Sequence, residues 1–350
     1  MLPHLLPMLH LGAIAFAVAL AFSGFMIGAG LGDVPNARSN HSDATPTSGG
    51  VGLVAALGAM GIGAVMFYPQ FSLGPELPYV LMLAFAIAAL GLFDDVFEGR
   101  TRIKFALIIG IAALAVRVIG PPAVLPMGAY EIVLPYGGGL IGAVLWIFVC
   151  VNGVNFMDGA NGFMGSFMFI ASLALTMLAM TLGAMMTAIL AGALSFGLLG
   201  FLPYNFRQKA QIFCGDVGSL LAGFLFAIAS LMLVKEVPSM PLLYVGPILL
   251  LPFLADIFMT LGSRAKRKEN LLAAHSTHLY QRLIRKGWSH AKVSLVYAGA
   301  GLICANIVVF AVFSGMISSL WGLLLLAFFA GVLKVWVQRK VSKNGLEELY

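Results

Sequence analysis

The sequence predicts an all-α polytopic membrane protein that crosses the bilayer about eleven times. Of its 350 residues, 61% are hydrophobic and only 10% are charged, and the mean hydropathy is +0.99. Soluble globular proteins carry about 25% charged residues, so this composition excludes an ordinary soluble domain. The apolar runs lack the period-two alternation that a membrane barrel requires, and their lengths approach those of helices that cross about 30 Å of hydrocarbon.

Eleven apolar runs follow one another along the chain. They lie at 9–32, 50–68, 78–93, 104–119, 139–153, 162–182, 186–202, 216–234, 240–262, 291–313 and 317–337. The runs at 78–93 and 139–153 are short for a span, so one or two of the eleven are expected to be tilted, broken or wrongly bounded. No low-complexity linker or inverted repeat divides the sequence, and residues 1–350 are predicted to form one membrane domain.

The basic residues predict the orientation. Eighteen of the 20 Lys and Arg residues fall in odd-numbered connections or in the C-terminal tail, and only Arg117 and Lys235 fall toward the other face. Lys and Arg accumulate in short cytoplasmic loops, so the N-terminus is predicted to be periplasmic and the C-terminus cytoplasmic. The first basic residue is Arg38, so the N-terminal run is expected to remain as a helix rather than to be a cleaved signal peptide.

Two compositional features exclude other classes of function. The net charge of +6 is explained by the loop bias and by anionic lipid headgroups, which argues against nucleic-acid binding. The three cysteines, Cys150, Cys214 and Cys304, have no metal-ligand or redox spacing, so they are interpreted as small apolar fillers.

The first polar cluster is Asp94-Asp95, at the predicted cytoplasmic end of the third run. Adjacent carboxylates repel each other, and a divalent cation, a proton or a neighbouring Arg offsets that cost. Magnesium that binds a phosphate is one interpretation. An interfacial acidic cap matched by Arg100 and Arg102 is the other.

A second polar cluster is the segment VNGVNFMDGANGFMG. A polar residue recurs at every third position, which predicts that four side chains share one side of a helical turn: Asn152, Asn155, Asp158 and Asn161. Gly159 and Gly162 would let the backbone approach a ligand closely. An Asn-rich cap between two helices would explain one or two of these residues but not four in register.

The third cluster, Gly215-Asp216-Val217-Gly218-Ser219, begins the eighth run. Asp216 is expected to cap this helix, and the free amides of its first turn are expected to hold an anion. A carboxylate flanked by glycines at such a position also suits magnesium bound to a diphosphate. The cap and the metal site are compatible with each other.

The last cluster is HSTHLYQRLIR, whose spacings of three and four predict one face of a short helix that carries His275, His278, Arg282 and Arg285. Imidazole and guanidinium groups suit a phosphate better than a metal ion here, because Arg opposes a cation. A solvated surface helix is the alternative. Tyr280 would stack on a base or pack at the interface.

Two further features lie near this cluster in the sequence. The basic run Arg264 to Lys268 is interpreted as a topological anchor. Asp256, inside the ninth run, would either hold site residues in place without touching substrate or pair with Arg264. The sequence leaves both options open.

Five motifs, in this order, resemble those of the polyprenyl-phosphate N-acetylhexosamine-1-phosphate transferase superfamily, which includes MraY-, WecA- and TagO-like enzymes. They are PNARSNHSDATPTSGGVG, GLFDDVFEGR, VNGVNFMDGANGF, FCGDVGSLLAGF and HSTHLYQRL, and they cover about residues 33–290. The variants PNARSNH and HLYQRL are most similar to the WecA-like branch that initiates O-antigen synthesis.

The resemblance implies transfer of a sugar 1-phosphate from a UDP-N-acetylhexosamine to undecaprenyl phosphate, with release of UMP. It implies Mg²⁺ as the cofactor, with Mn²⁺ as an alternative, a site on the cytoplasmic face of the bacterial inner membrane, and compatibility with a homodimer. Both reactants are anionic phosphates, so catalysis would rest mostly on charge neutralisation and in-line positioning. Direct attack and a covalent intermediate on Asp94 or Asp95 are both compatible with the sequence, which does not identify the hexosamine.

The resemblance also implies roles for individual residues. The catalytic residues would be Asp94 and Asp95, which act on the lipid phosphate, together with Asp158 and His278, and Asp216 would bind the metal. Substrate would contact Arg38, His41, Asn152, Asn155, Asn161, His275 and Arg282. Asn161 stands where many relatives have Asp, so its role would be hydrogen bonding, and Tyr280 and Gln281 stand where relatives often have His.

Two other classes compete with this interpretation. A cation- or proton-coupled transporter would place its acids near the membrane midplane, whereas all of these acids except Asp256 are predicted to lie at helix ends. A CDP-alcohol phosphotransferase would need a series of aspartates in one helix hairpin, which the sequence lacks.

Overall fold

The computed structural model shows a bundle of long helices. It describes residues 2–29, 45–97, 101–270 and 275–315, with the single residues 327 and 331. These residues form twelve α-helices: α1 (Leu2–Ala29), α2 (Gly50–Phe67), α3 (Leu77–Phe97), α4 (Thr101–Ile119), α5 (Tyr136–Phe156), α6 (Phe163–Leu182), α7 (Met185–Asn205), α8 (Gly215–Glu236), α9 (Val245–Leu249), α10 (Leu251–Lys266), α11 (Leu279–Arg285) and α12 (His290–Phe313). Within the described ranges, eight helices are long and apolar enough to cross a membrane, and a bent pair makes a ninth. The chain is a multi-pass membrane protein.

The predicted all-α architecture is confirmed, and ten of the eleven predicted runs coincide with a helix or a bent pair. Helix α4, at the run 104–119, is not among the eight helices that are long and apolar enough to cross a membrane. The run at 317–337 lies, apart from residues 327 and 331, outside the described residues. The two short runs extend to 21 residues each as α3 and α5. The predicted runs stopped short because polar residues follow them, Asp94 and Asp95 on α3 and Asn155 on α5, and these residues still belong to the helices.

The ninth predicted run is broken. A 3₁₀ turn at Leu242–Tyr244 leads into α9, and α10 then leaves at an angle of 68°. Pro252, in the first turn of α10, has no amide hydrogen to donate to the carbonyl of Ile248, so the helix cannot continue straight through this point. The break redirects α10 toward the short helix α11.

A two-stranded hairpin between α4 and α5 adds a small β element to the helical architecture. Strand β1 (Val124–Pro126) pairs antiparallel with β2 (Glu131–Val133), with Leu125 opposite Ile132. The Tyr244 hydroxyl donates a hydrogen bond of 2.5 Å to the carbonyl of Pro126. The hairpin precedes α5, whereas the polar residues of α5 lie at its other end.

Helix α8 forms the centre of the bundle, since every residue from Val217 to Leu233 is buried. Glycines let the neighbouring helices approach it closely. A Cβ atom on Gly91 of α3 would lie 2.4 Å from the carbonyl oxygen of Asp216, and one on Gly50 of α2 would lie 2.2 Å from the amide nitrogen of Gly218. The polar start of α8 is therefore in direct contact with α2 and α3.

Candidate active site

A cluster of charged side chains forms where the C-terminal ends of α3 and α5 meet the N-terminal ends of α4 and α8. The Lys104 ammonium group lies between two carboxylates, 2.7 Å from Asp94 Oδ2 and in direct hydrogen bond with Asp216 Oδ2. These three residues come from three different helices and are half-buried. The cluster is therefore held rigidly and remains accessible to a ligand.

Asp95 has a different partner from its neighbour. Its carboxylate accepts hydrogen bonds from the backbone amides of Asp216, at 3.0 Å, and Val217, at 3.2 Å. The prediction that Asp216 caps α8 is therefore wrong, and so is the prediction that these amides are free to hold an anion. Asp216 lies within the first turn with its side chain directed to Lys104, and a carboxylate from α3 supplies the cap instead.

Asn155 fixes the second oxygen of Asp216. Its Nδ2 atom donates to Asp216 Oδ1 at 2.7 Å and to Ser219 Oγ at 2.9 Å. With Lys104 on the other oxygen, both oxygens of the Asp216 carboxylate are oriented. The structure thus brings together four of the predicted site residues: Asp94, Asp95, Asn155 and Asp216.

The predicted polar face from residue 152 to residue 161 is not one face. Helix α5 ends at Phe156, and the chain then turns through Gly162, whose φ of 71° lies in the left-handed region. Asn152 is buried and donates to the carbonyl of Phe148 in its own helix. Asn161 is also buried and donates to the carbonyls of Arg207 and Gln208. Asn161 therefore joins two segments of the chain, whereas the bond of Asn152 stays within its own helix. The contact of both side chains with substrate stays a prediction.

Asp158 lies in the turn after α5, outside the membrane-spanning helices, and is half-buried. Burial, and then the negative charges of Asp216 and Asp95, raise the pKa of this carboxyl group from 3.8 to about 8. Burial is the larger cause, and the negative charges of Asp216 and Asp95 add to it. A further cation would lower the free energy of the cluster.

The oxygen donors of the cluster fit magnesium. Among the described residues, no three His, Cys, Asp or Glu side chains converge closely enough to hold an ion by themselves. Magnesium differs from zinc in this respect, because it keeps several waters and is usually bound by one or two carboxylates together with substrate phosphates. Asp216 and Asp94, which already share the Lys104 ammonium, are carboxylates of the kind required.

The segment with the predicted histidines packs against the end of α5, where the His278 ring lies 6.2 Å from that of Phe156, but it is not one helical face. Helix α11 begins at Leu279, and His278 precedes it in an extended conformation (φ −61°, ψ 151°), with its amide bound to Gln281 Oε1 at 3.1 Å. His275 lies earlier still, its ring 4.8 Å from that of His278. The predicted common face is therefore wrong, although Arg282 lies on α11, half-buried.

Asp256 binds the start of α11. Its carboxylate accepts from the amides of Leu279, at 2.8 Å, and Tyr280, at 3.3 Å, whereas Arg264 binds Glu269 and the carbonyl of Asn270. Of the two roles that the sequence left open for Asp256, these contacts favour support of the histidine segment.

Tyr280 is fully buried, which contradicts the interpretation that it stacks on a base. Its ring stacks on Phe163 at 4.4 Å, and its hydroxyl donates to the carbonyl of Phe156 at 3.2 Å. The residue therefore joins α11 to the end of α5, next to Asp158.

Sequence reasoning missed Lys104, which it counted only as evidence for orientation. The available signal was chemical: paired carboxylates need a cation, and Lys104 begins the run that follows them. Arg102, which the sequence suggested as a partner of the aspartates, precedes Lys104 by two residues. The predicted residues Arg100, Arg38 and His41 lie outside the described residues.

Comparison with known proteins places the chain in a family. The model of glycosyl transferase family 4 matches residues 77–234. A phospho-N-acetylmuramoyl-pentapeptide-transferase of Symbiobacterium thermophilum is 30% identical over 284 residues, which cover 77% of this chain and 82% of the relative. The chain belongs to glycosyl transferase family 4. The family match contains Asp94, Asp95, Asp158 and Asp216 and ends before the histidine segment.

Two other relatives are named for polyprenyl-phosphate acceptors. A decaprenyl-phosphate N-acetylglucosaminephosphotransferase of Mycobacterium tuberculosis is 29% identical over 315 residues, covering 79% of this chain and 76% of the relative. A probable undecaprenyl-phosphate N-acetylglucosaminyl 1-phosphate transferase of Bacillus subtilis is 29% identical over 283 residues, covering 77% and 74%. The resemblance inferred from the motifs is thereby confirmed at the level of the superfamily.

Proposed function

We propose that this protein transfers N-acetylhexosamine 1-phosphate from a UDP-sugar to undecaprenyl phosphate and releases UMP. The proposed site faces the cytoplasm at the inner membrane, and the product begins a surface polysaccharide, O-antigen in the WecA-like branch. The observation that carries the proposal is the Asp94–Lys104–Asp216 cluster at one end of the bundle, in a chain of glycosyl transferase family 4.

The position of the cluster suits two substrates of different solubility. The residues lie at helix ends, half-buried, where a lipid phosphate can arrive from the bilayer and a nucleotide sugar from water. The relatives named for a decaprenyl-phosphate and an undecaprenyl-phosphate acceptor support a polyprenyl phosphate here.

The charges of the cluster support the proposal that the reaction uses a metal ion. In the described part of the site, the Lys104 ammonium group lies between the carboxylates of Asp94 and Asp216, and Asp95 binds the first turn of α8 beside them. Both substrates bring further negative charge. Magnesium bound by Asp216 would neutralise the diphosphate and polarise the bond that breaks.

In the proposed reaction, an oxygen of the lipid phosphate attacks the sugar-bearing phosphorus of the donor. The bond from that phosphorus to the bridging oxygen breaks, and UMP leaves with the oxygen. Asp94 and Asp95 lie beside the acceptor, Lys104 and Asn155 hold Asp216 in place, and Asp158 faces the donor. His275, His278 and Arg282 would bind donor phosphate or sugar, as would Arg38, His41, Asn152 and Asn161.

The proposal is tested by UMP release from purified protein in detergent, with undecaprenyl phosphate, Mg²⁺ and a panel of UDP-N-acetylhexosamines. We expect lipid-dependent UMP from at least one donor, its loss in Asp216→Asn and its loss on addition of EDTA. Glu76→Gln is the matched control. Glu76 forms an ion pair with Lys235, with 2.6 Å between Oε1 and Nζ, and this pair is remote from the site.

Unchanged activity in Asp216→Asn would overturn the assignment of the site. No UMP from any donor, with folded protein, would overturn the transferase reaction. Ion flux in proteoliposomes would then test the transporter alternative.

A further inference from the structure

We infer that Asp256 is a positioning residue that acts through His278, by fixing the first turn of α11 and the orientation of the imidazole ring. The inference rests on the proposed function, because His278 is the predicted catalytic histidine. Asp256 belongs to α10, which the family match does not reach.

The first observation is the number of donors that converge on this one buried carboxylate. Asp256 is 2% exposed and accepts from the amides of Leu279 and Tyr280, from the Tyr297 hydroxyl at 2.7 Å and from the Thr260 hydroxyl at 3.2 Å. A carboxylate bound in this way ties α10, α11 and α12 together. It therefore determines where α11 begins.

The second observation is an unpartnered polar atom that faces the same carboxylate. His278 is 2% exposed, and its Nδ1 atom makes no well-aligned hydrogen bond, although the backbone amide of Gln281 faces the side chain in a capping box. That atom lies 3.6 Å from Asp256 Oδ1, just beyond hydrogen-bond distance. A displacement of about half an ångström would complete the bond and remove the cost of a buried unpaired nitrogen.

This arrangement selects the nitrogen that serves the substrate. When Nδ1 carries a hydrogen toward Asp256, Nε2 is the remaining nitrogen for a substrate phosphate or hydroxyl, and the orienting partner decides the tautomer. The ring of His278 is also stacked at 6.2 Å on that of Phe156, at the end of α5. A rotation of α11 would therefore move His278 relative to Asn155 and Asp158.

The functional test is a double-mutant cycle in the transferase assay, with Asp256→Asn, His278→Ala and the combination. We expect Asp256→Asn to lower kcat about 10- to 100-fold, the range for residues that orient a catalytic ligand, with a smaller change in KM for the UDP-sugar. If Asp256 acts through His278, the double variant is no slower than His278→Ala alone. A double variant whose loss equals the product of the two single losses would overturn the inference.

The matched control is Glu236→Gln. Glu236 caps α7 in the same way, accepting from the amides of Met186 and Thr187 at 2.9 and 2.8 Å, but at the other end of the bundle. We expect it to lower thermal stability as Asp256→Asn does and to leave kcat unchanged. An equal loss of kcat in both variants would show a general folding effect and overturn the inference.

Hydrogen exchange provides a readout that does not need turnover. In Asp256→Asn the amides of the peptide 275–288 should exchange faster, while in Glu236→Gln they should not change. Unchanged exchange in Asp256→Asn would overturn the structural part of the inference. A wild type that releases no UMP would overturn the proposed function instead.

If Asp256→Asn does not fold, Tyr297→Phe replaces it in the cycle, because this change removes one donor to Asp256 and keeps the carboxylate. We expect Tyr297→Phe to lower kcat less than Asp256→Asn would. In the His278→Ala background, Tyr297→Phe should cause no further loss of kcat.

Discussion

Asp95 accepts a hydrogen bond from the backbone amide of Asp216, 3.0 Å away, so the second residue of the aspartate pair caps the helix that carries the predicted metal ligand. Its neighbour Asp94 instead binds the Lys104 ammonium group at 2.7 Å. The sequence motif does not distinguish the two aspartates. In the structure, Asp95 holds the start of α8 in place, whereas Asp94 balances the charge of Lys104.

Substitution of each aspartate by Asn should therefore give different results. Asp95→Asn loses charge-assisted bonds to two amides, and hydrogen bonds of this kind contribute about 1.5–3 kcal/mol each. We expect a lower melting temperature together with lower activity. Asp94→Asn should lose activity with a smaller change in melting temperature, as measured by UMP release and thermal unfolding in the same detergent. The opposite order of stabilities would contradict the division of roles.

Lys104→Met should lower UMP release about 10- to 100-fold, the range for residues that orient a metal ligand, because Lys104 holds the Asp216 carboxylate. The change leaves Asp94 and Asp216 facing each other without their shared cation. We therefore expect added Mg²⁺ to raise the melting temperature of Lys104→Met more than that of the wild type. Lys235→Met, which breaks the distant pair with Glu76, should keep full activity. Equal activity in the two variants would rule out a role for Lys104 in the reaction.

Gly91→Ala should weaken the protein at the contact between α3 and α8. The new Cβ atom would lie 2.4 Å from Asp216 O and 2.6 Å from Val217 N, so the helices must separate, and such overpacking costs about 1–3 kcal/mol. Because the same contact carries Asp95, activity should fall as well. Gly110→Ala is the matched control, since nothing lies within 4 Å of its Cβ position. A Gly91→Ala protein as stable and active as Gly110→Ala would show that the contact is not tight.

The stability of the protein should depend on the ionisation of Asp158. Its pKa is about 8 in the folded protein and near the ordinary 3.8 when unfolded, so between these values only the folded state holds the proton. The stabilising contribution is fully present below about pH 4 and is lost as the pH rises through 8. In EDTA, the melting temperature of wild type minus that of Asp158→Asn should therefore fall from pH 5 to pH 9. A difference that stays constant with pH would refute the raised pKa.

The sequence predicted the residues of the acidic cluster because local motifs mark them. It did not predict their partners, since Asp95 and Asp216 are separated by 121 residues and Lys104 and Asp216 by 112. A motif shows which side chains are chemically unusual. The packing of α3 and α4 against α8 decides which of them touch.

Local periodicity failed where the helix ends within the motif. The spacing of Asn152, Asn155, Asp158 and Asn161 assumes a continuous helix, yet α5 ends at Phe156 and Gly162 adopts a positive φ. The role of Asp256 was also beyond local reasoning, because its partners on α11 lie 23 and 24 residues away. Its position inside an apolar run marked Asp256 as unusual in the sequence. Only the contacts in the structure show what it binds.

Gly159 and Tyr280 are in closer contact than any pattern in the sequence suggests. A Cβ atom on Gly159 would lie 2.2 Å from the Tyr280 hydroxyl oxygen. A larger residue at position 159 therefore requires a shorter side chain at position 280, and the two positions should covary among homologous sequences. Substitutions at these sites are best made in pairs, because a change at 159 alone would push α11, with its predicted histidine, away from the end of α5.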